Sequence, residues 1–182
     1  PSVKVMIERD NCRAAPGGIG YAKTGGNYGA SLAAYQKTQD HHCDQTLWLD
    51  AIHKKYIEEL SGMNFFAVIG DELVTPELTD TILAGITRDS ILKIASEFGL
   101  SPVEKKLEVE KLLKLIESGK CQEAFACGTA SVLTPIESLE YKNKTYNLAK
   151  AEGEKSKQIK DFLLNIQRGM EKDPFNWAIK VN

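Results

Sequence analysis

The sequence predicts an α+β fold, and three observations carry that prediction. Short runs alternate apolar and polar residues, or are continuously apolar, between turn residues, as strands do. Other stretches space apolar residues at helical intervals and stop at glycines. The two kinds of segment do not alternate in the regular βαβ rhythm that a parallel α/β sheet requires.

Taken in order, residues 2–9 alternate like a strand around Val3-Lys-Val-Met-Ile7. Residues 11–22 read as a second extended piece that ends in glycines. Asn27 is placed to cap a helix running through Ser31, Leu32, Ala33 and Ala34 to about Asp40. Gln45 to Asp50 is a short buried strand, and Tyr56 to Leu60 and Asn64 to Ile69 are two more, broken at Ser61-Gly62. Gly70-Asp71-Glu72 forms a hairpin turn into a strand over Leu73 to Thr75, which Pro76 stops. The next helix opens over Leu83-Ala-Gly-Ile-Thr87 with Thr87 as N-cap. Its stripe is Ile91, Leu92, Ile94, Ala95 and Phe98, and Gly99 ends it. Val103 to Val109 reads as a strand. Glu110 to Ser118 is a helix with Leu112, Leu113, Leu115 and Ile116 inward, stopped at Gly119. Gln122 to Cys127 and Ser131 to Ile136 are strands joined through Gly128-Thr-Ala130, and Glu140 to Tyr146 is a hairpin around Lys142-Asn143. Glu154 to Met170 is the last helix and Trp177 to Val181 a terminal strand. There is no internal repeat and no low-complexity segment.

With 182 residues, 42% hydrophobic and 26% charged, the chain has the size and composition of one globular domain with a real core. A formal charge of −2 provides no field for nucleic acid or an anionic membrane surface, and no apolar run approaches the ~20 residues of a membrane helix. Cys12, Cys43, Cys121 and Cys127 include no Cys-x-x-Cys pair, so a reducing, cytoplasmic compartment is expected. His41-His42-Cys43 suggests a metal site, but adjacent residues of a helix point about 100° apart and cannot share one ion. The chain opens without Met directly in a strand, and is expected to be a fragment of a longer protein.

Chemistry concentrates in Pro16-Gly-Gly-Ile-Gly-Tyr-Ala-Lys-Thr-Gly-Gly-Asn-Tyr-Gly-Ala-Ser31, where Lys23 sits among six glycines. A lysine whose surrounding backbone can approach a ligand closely has two uses: a point charge on phosphate, or a nucleophilic amine that forms a Schiff base. The first use suggests a phosphate loop, Gly17-x-x-x-x-Ala22-Lys23-Thr24, with Leu47-Trp-Leu-Asp50 as the strand whose aspartate holds magnesium. That match fails in context. Ala22 replaces the glycine before the lysine, and Gly25-Gly26 interrupts the helix that should begin there.

The second use, with pyridoxal phosphate, asks for a carboxylate on the pyridine nitrogen, a donor to the phenolate oxygen, N–H and hydroxyl groups for the phosphate, and an apolar side chain on the ring. Tyr28, Glu58 or Glu59, Ile86-Thr87 and Gly128-Thr-Ala130 supply candidates. The order of motifs then becomes telling: Arg13-Ala-Ala-Pro-Gly-Gly, Lys23-Thr-Gly-Gly-Asn-Tyr28, Gln45-Thr-Leu-Trp-Leu-Asp50, Glu59-Leu-Ser-Gly-Met-Asn-Phe-Phe66, Leu83-Ala-Gly-Ile-Thr-Arg88 and Glu123-Ala-Phe-Ala-Cys-Gly-Thr-Ala130. Over residues 8–140 the chain resembles the branched-chain amino-acid aminotransferases, pyridoxal-phosphate enzymes of fold type IV, and Lys-x-Gly-Gly-Asn-Tyr separates these from related members of the fold.

The resemblance implies the large, pseudo-barrel-like cofactor domain over residues 1–182, the family's smaller N-terminal domain lying outside this chain. It implies Lys23 as the Schiff-base lysine and proton shuttle, Tyr28 on the phenolate oxygen, Glu59 on the pyridinium nitrogen and Leu83 against the ring. Ile86, Thr87 and Thr129 would hold the phosphate, with Arg13 nearby. Gly62, Thr129 and Ala130 would border the substrate, the turn at 129–130 offering N–H groups to its carboxylate. The implied activity is exchange of an amino group between leucine, isoleucine or valine and 2-oxoglutarate, by a homodimer with small-molecule partners. This fragment would be inactive or nearly so, since most of the side-chain pocket belongs to the smaller domain. Departures are Ala84, where proline is common, the variant Ser61-Gly62, and Ser131 and Thr134 where some relatives carry a redox Cys-x-x-Cys. Two other classes stay open: a non-catalytic binding or scaffold domain of the same fold, and the nucleotide hydrolase.

Overall fold

A computed structural model describes residues 1–29, 31–149, 153–179 and 181. Ten strands form one sheet: β1 (Val3–Glu8), β2 (Gln45–Leu49), β3 (Tyr56–Leu60), β4 (Asn64–Ile69), β5 (Glu72–Thr75), β6 (Ser101–Glu104), β7 (Leu107–Glu108), β8 (Cys121–Gly128), β9 (Val132–Tyr141) and β10 (Lys144–Asn147). Among the described residues the helices are α1 (Gly25–Gly29), α2 (Ser31–Asp40), α3 (Ile86–Ile94, continued by a 3-10 turn over Ala95–Phe98), α4 (Val109–Glu117) and α5 (Glu154–Gln167). The mixture is α+β, as the missing βαβ rhythm predicts.

The strand order is β6-β5-β4-β8-β9-β1-β2-β3-β7, and β3 also pairs with β4. Strands β4, β8, β9, β1, β2 and β3 therefore close into a ring, a pseudo-barrel. β1 lies parallel to both its neighbours, β2 and β9, while the pairs β8–β9, β4–β8 and β2–β3 are antiparallel. The ring closes through a single residue pair, Glu59 with Asn64.

Period-2 alternation sorts the core into two clusters. From β4 and β8, Phe65, Ala67, Ala124 and Ala126 face one cluster, together with Leu112, Leu113 and Ile116 of α4. Phe66, Val68, Phe125 and Cys127 face the other, with Ile91 and Ile94 of α3 and Ile159 and Leu163 of α5. Phe66 and Phe125 stack there with centroids 5.3 Å apart.

Several expectations change on contact with tertiary structure. Residues 11–22 are not extended: Gly18 N–H bonds Ala15 O and Ala22 N–H bonds Ile19 O, so the segment turns repeatedly. Asn27 does not cap α2. It is buried within α1 and its amide donates to Ile19 O (2.8 Å) and Ala22 O (2.9 Å), clamping the loop before it. Thr87 is not the N-cap of α3, which is Gly85 with no side-chain cap; Thr87 is the second helical residue. The expected strand Val103 to Val109 breaks into β6 and β7, which lie at opposite ends of the strand order. The terminal strand is absent at 177–179, where Ala178 N–H bonds the Asp173 carboxylate at 2.7 Å; Lys180 of that expected strand lies outside the described residues. α2 ends at Asp40, so His41-His42-Cys43 is not helical. His41 Nδ1 sits 2.6 Å from Glu140 Oε1, and the buried Cys43 thiol approaches the other oxygen of the same carboxylate. The hairpin at Lys142-Asn143 forms as expected, with both residues at positive φ (53° and 59°), the backbone of a two-residue turn matched to twisted strands.

Candidate active site

The ring closure and the start of α3 frame a cavity of about 380 Å³. Lys23 and Tyr28 reach it from the glycine-rich segment and α1. Glu59 comes from the end of β3, Gly62 from the β3–β4 turn, Leu83, Ile86 and Thr87 from the segment that opens α3, and Thr129 and Ala130 from the β8–β9 turn. Nine of the ten residues predicted from sequence thus line one space, contributed by segments far apart in the chain. Lys23, Gly62, Ile86, Thr129 and Ala130 are exposed, so the cavity is open on that side.

Arg13 is the tenth, and it does not line the cavity. It is buried behind Glu59, with Nη2 2.7 Å from Glu59 Oε1 and 2.9 Å from Gly20 O, and also bonded to Thr81 O. The expectation that it lies with the phosphate-binding residues is corrected. Its Nη2 faces a carboxylate and two carbonyls, which fix the loop before Lys23 against the loop before α3, while the buried Nε has no hydrogen-bond partner among the described residues. Gly20 permits that approach, because a Cβ there would sit 2.6 Å from Thr81 Cα.

Glu59 is held on both oxygens. Oε1 accepts from Arg13 and from Leu83 N–H (3.2 Å), and Oε2 accepts from Asn64 Nδ2 (3.0 Å). The same Asn64 amide donates to Leu83 O at 2.8 Å. Burial pushes the Glu59 carboxyl up to about 7, against the opposing pull of Arg13 and the Leu83 N–H. Glu58 points to the other side of β3, where Oε1 accepts from the Thr81 hydroxyl at 2.5 Å, and burial raises its carboxyl as well. The pair Glu58-Glu59, indistinguishable in sequence, is separated by the pleat.

α3 begins beside the cavity. Its first internal bond is Asp89 N–H to Gly85 O (3.0 Å), so the N–H groups of Ile86, Thr87 and Arg88 have no partner one turn back. Gly85 is required there: a Cβ would lie 2.2 Å from Asn64 Oδ1. Because no side chain caps the helix, the Thr87 hydroxyl is not spent on it. These N–H groups and the helix dipole suit an anion.

Sequence reading gave no site role to Met63, Asn64, Ala84, Gly85, Cys127 and Ser131, which also line the cavity. Asn64 had a signal: it is the only polar side chain in Asn-Phe-Phe-Ala-Val-Ile, and it stands at the first position of β4. The Cys127 thiol is pushed up to about 12 by burial and is no nucleophile at neutral pH. The phosphate-loop alternative does not survive. Asp50 lines a different cavity from Lys23, and its oxygens accept from the backbone N–H groups of His53, Lys55 and Tyr56, so it organises a turn.

The pattern that defines amino-transferase class IV matches residues 1–139. The chain belongs to the class IV aminotransferases. It is 42% identical over 99% of its length to a branched-chain-amino-acid aminotransferase of Mycolicibacterium smegmatis, and 41% identical over 98% to branched-chain-amino-acid transaminase 1 of Bacillus subtilis. It covers 50% and 51% of those proteins, so this class IV chain spans about half the length of the curated relatives it matches. Among solved structures, Escherichia coli branched-chain amino acid aminotransferase superposes with a TM-score of 0.84 at 32% identity, over 99% of this chain and 56% of that one. The branched-chain amino acid aminotransferase of Thermobaculum terrenum in its PLP-form superposes with 0.79 at 26% identity, over 94% of this chain and 52% of that one. The pseudo-barrel is thus the class IV fold.

Proposed function

We propose that this chain is the large, cofactor-binding domain of a branched-chain amino-acid aminotransferase that uses pyridoxal phosphate. The observation that carries the reading is convergence: an amine, a phenol, a carboxylate and a helix N-terminus, from separate segments, line one cavity. The donor set fits that cofactor group by group. Unpartnered N–H groups at Ile86 and Thr87, with the Thr87 and Thr129 hydroxyls, suit a phosphate. Glu59, fixed by donors on both oxygens, suits a pyridinium nitrogen, and Leu83 supplies an apolar wall. The buried Thr24 hydroxyl, next in sequence to Lys23, has no hydrogen-bond partner among the described residues.

When bound, the cofactor supplies an electron sink for carbanion character at the substrate's Cα. The chain's own groups do the rest. The Lys23 amine would hold the cofactor and serve as the base that takes and returns the proton at the substrate's Cα. Tyr28 would donate to the phenolate oxygen, and Glu59 would pair with the ring nitrogen. The 129–130 turn, next to Gly62, would receive the substrate carboxylate. Met63, Leu83, Ala84, Ile86 and Ala130 give the cavity an apolar character that suits leucine, isoleucine or valine, while discrimination among such near-isosteres is worth only about 1–3 kcal/mol. The second substrate is 2-oxoglutarate, and the working form is a cytoplasmic homodimer whose smaller domain completes the substrate wall. Among the described residues no helix is long and apolar enough to cross a membrane.

The test is visible absorbance after addition of pyridoxal phosphate. The protein should turn yellow and Lys23→Ala should stay colourless while keeping its fold. In the full-length enzyme, transamination of the three branched amino acids should fall by many orders of magnitude with the same substitution. A colourless wild-type protein, or a yellow Lys23→Ala, would defeat the reading.

A further inference from the structure

We propose that Arg13 is a positioning residue that keeps Glu59 anionic, so that the proton shared by this carboxylate and the cofactor's ring nitrogen stays on the nitrogen. The inference rests on the pyridoxal-phosphate reading above and adds what sets the proton's place.

The geometry points to it in two ways. First, each group in hydrogen-bond contact with Glu59 is a donor: the Arg13 guanidinium, the Leu83 N–H and the Asn64 amide NH2. A protonated carboxyl must give its hydrogen to an acceptor, and this shell provides none. Second, Arg13 is the only cation in contact with Glu59 among the described residues, and both side chains are almost wholly buried, at 2% and 4% exposure. The other charges acting on Glu59 are Glu58, which opposes ionisation, and Arg88, which favours it but is itself spent on Glu104 Oε2 (2.5 Å) and Pro76 O (2.8 Å).

Arg13 also compensates Glu58, since Thr81 links the two, giving its hydroxyl to Glu58 and its carbonyl to Arg13. One guanidinium thus favours ionisation of two buried carboxyls, Glu59 in contact and Glu58 through space. Removing its charge leaves burial and Glu58 acting together, and both drive a proton onto Glu59. That proton would be drawn from the ring nitrogen, and the ring would lose the positive charge that makes it an electron sink. Arg13 lines no part of the cavity, so this is control through another residue.

The decisive measurement is the 15N chemical shift of ring-labelled pyridoxal phosphate bound to the protein. Wild type should give a pyridinium shift. Arg13→Gln, which removes the charge and keeps a polar amide, should keep the visible absorbance of the Lys23-bound cofactor and move the shift to that of a neutral pyridine. Arg13→Lys should restore the pyridinium. An unchanged pyridinium shift in Arg13→Gln, or a neutral ring in wild type, overturns the inference. If Arg13→Gln fails to fold, Arg13→Lys decides alone: a neutral ring with the cation retained overturns it. A cofactor-free readout separates this proposal from the one beneath it. The carboxyl carbon of Glu59 should titrate about 1–3 pH units higher in Arg13→Gln than in wild type. A colourless wild type with that displacement defeats the cofactor reading alone, whereas an unmoved Glu59 midpoint defeats the role of Arg13.

Discussion

The ring of strands has a zipped side and a seam. On the zipped side β4 and β8 stay in register from Asn64 opposite Cys127 to Val68 opposite Glu123, and their side chains fill both cores. At the seam β3 and β4 share one residue pair, Glu59 with Asn64. There the backbone ladder is replaced by side-chain bonds among Arg13, Glu59, Asn64 and Leu83. The zipped side buries apolar surface, which is non-directional and stabilising. The seam buries charge, which costs stability unless every partner is present, but it fixes a carboxylate in one orientation at a cavity. The fold keeps its stability and its chemistry in different strand pairs.

The largest expected effect is on the zipped side. Phe125→Ala removes a fully buried ring stacked on Phe66 and should cost about 3–5 kcal/mol in denaturant unfolding. The residues at the seam lie in other elements, so whatever fraction stays folded should still take up pyridoxal phosphate with wild-type affinity. Selective loss of the cofactor in the folded fraction would mean that the two regions are not separable.

The second effect has its sign set by the seam itself. The Glu59 carboxyl is raised from 4.5 to about 7 by burial, so the folded chain holds that proton more tightly than the unfolded chain does. Stability from this group is fully present below pH 4.5 and is lost as pH rises through 7, by roughly 3 kcal/mol in the cofactor-free protein. Glu58 is raised too and acts in the same direction. Glu8 and Asp50 are lowered by their hydrogen bonds, so they act at more acid pH and with the opposite sign. Denaturation at a series of pH values should show this decline, and Glu59→Gln should flatten most of it. A decline of the same size in Glu59→Gln would place its origin elsewhere.

The two regions were also unequally legible in the sequence. β3 and β4 stand where their apolar patterns put them, because a buried strand writes its period into the side chains it must bury. The amphipathic pattern of α4 was as clear, with Leu112, Leu113 and Ile116 buried and Leu115 only half so. The loops that shape the cavity were not legible from pattern alone. Residues 11–22 look extended by composition, but Arg13 and Asn27 fold them by bonding to carbonyls within and beyond the segment. Such bonds are made across the fold and leave no periodic trace. Thr87 looks like an N-cap because threonine often is one, whereas the close approach of Asn64 demands glycine at 85 and moves the cap there. The motif order identified the cavity residues, yet it put Arg13 with the phosphate because an arginine's charge shows in sequence and its partner does not.

The smallest effect gives the sharpest test of the seam. Asn64→Ala keeps the backbone pairing of β4 with β8, and the shortened side chain still allows Gly85 its close approach. Its loss removes one donor from Glu59 Oε2 and one from Leu83 O. Leaving such buried acceptors unpaired costs roughly 1–3 kcal/mol, less than the ring of Phe125. Stability should therefore fall less than in Phe125→Ala, while retention of pyridoxal phosphate should fall more, because Glu59 loses the bond that fixes the oxygen not held by Arg13. Reading both quantities on both variants gives a crossed pattern if stability and chemistry are divided between the two strand pairs. Parallel losses in the two variants would show instead that the closing pair is an ordinary part of the core and that the carboxylate owes its orientation to the barrel as a whole.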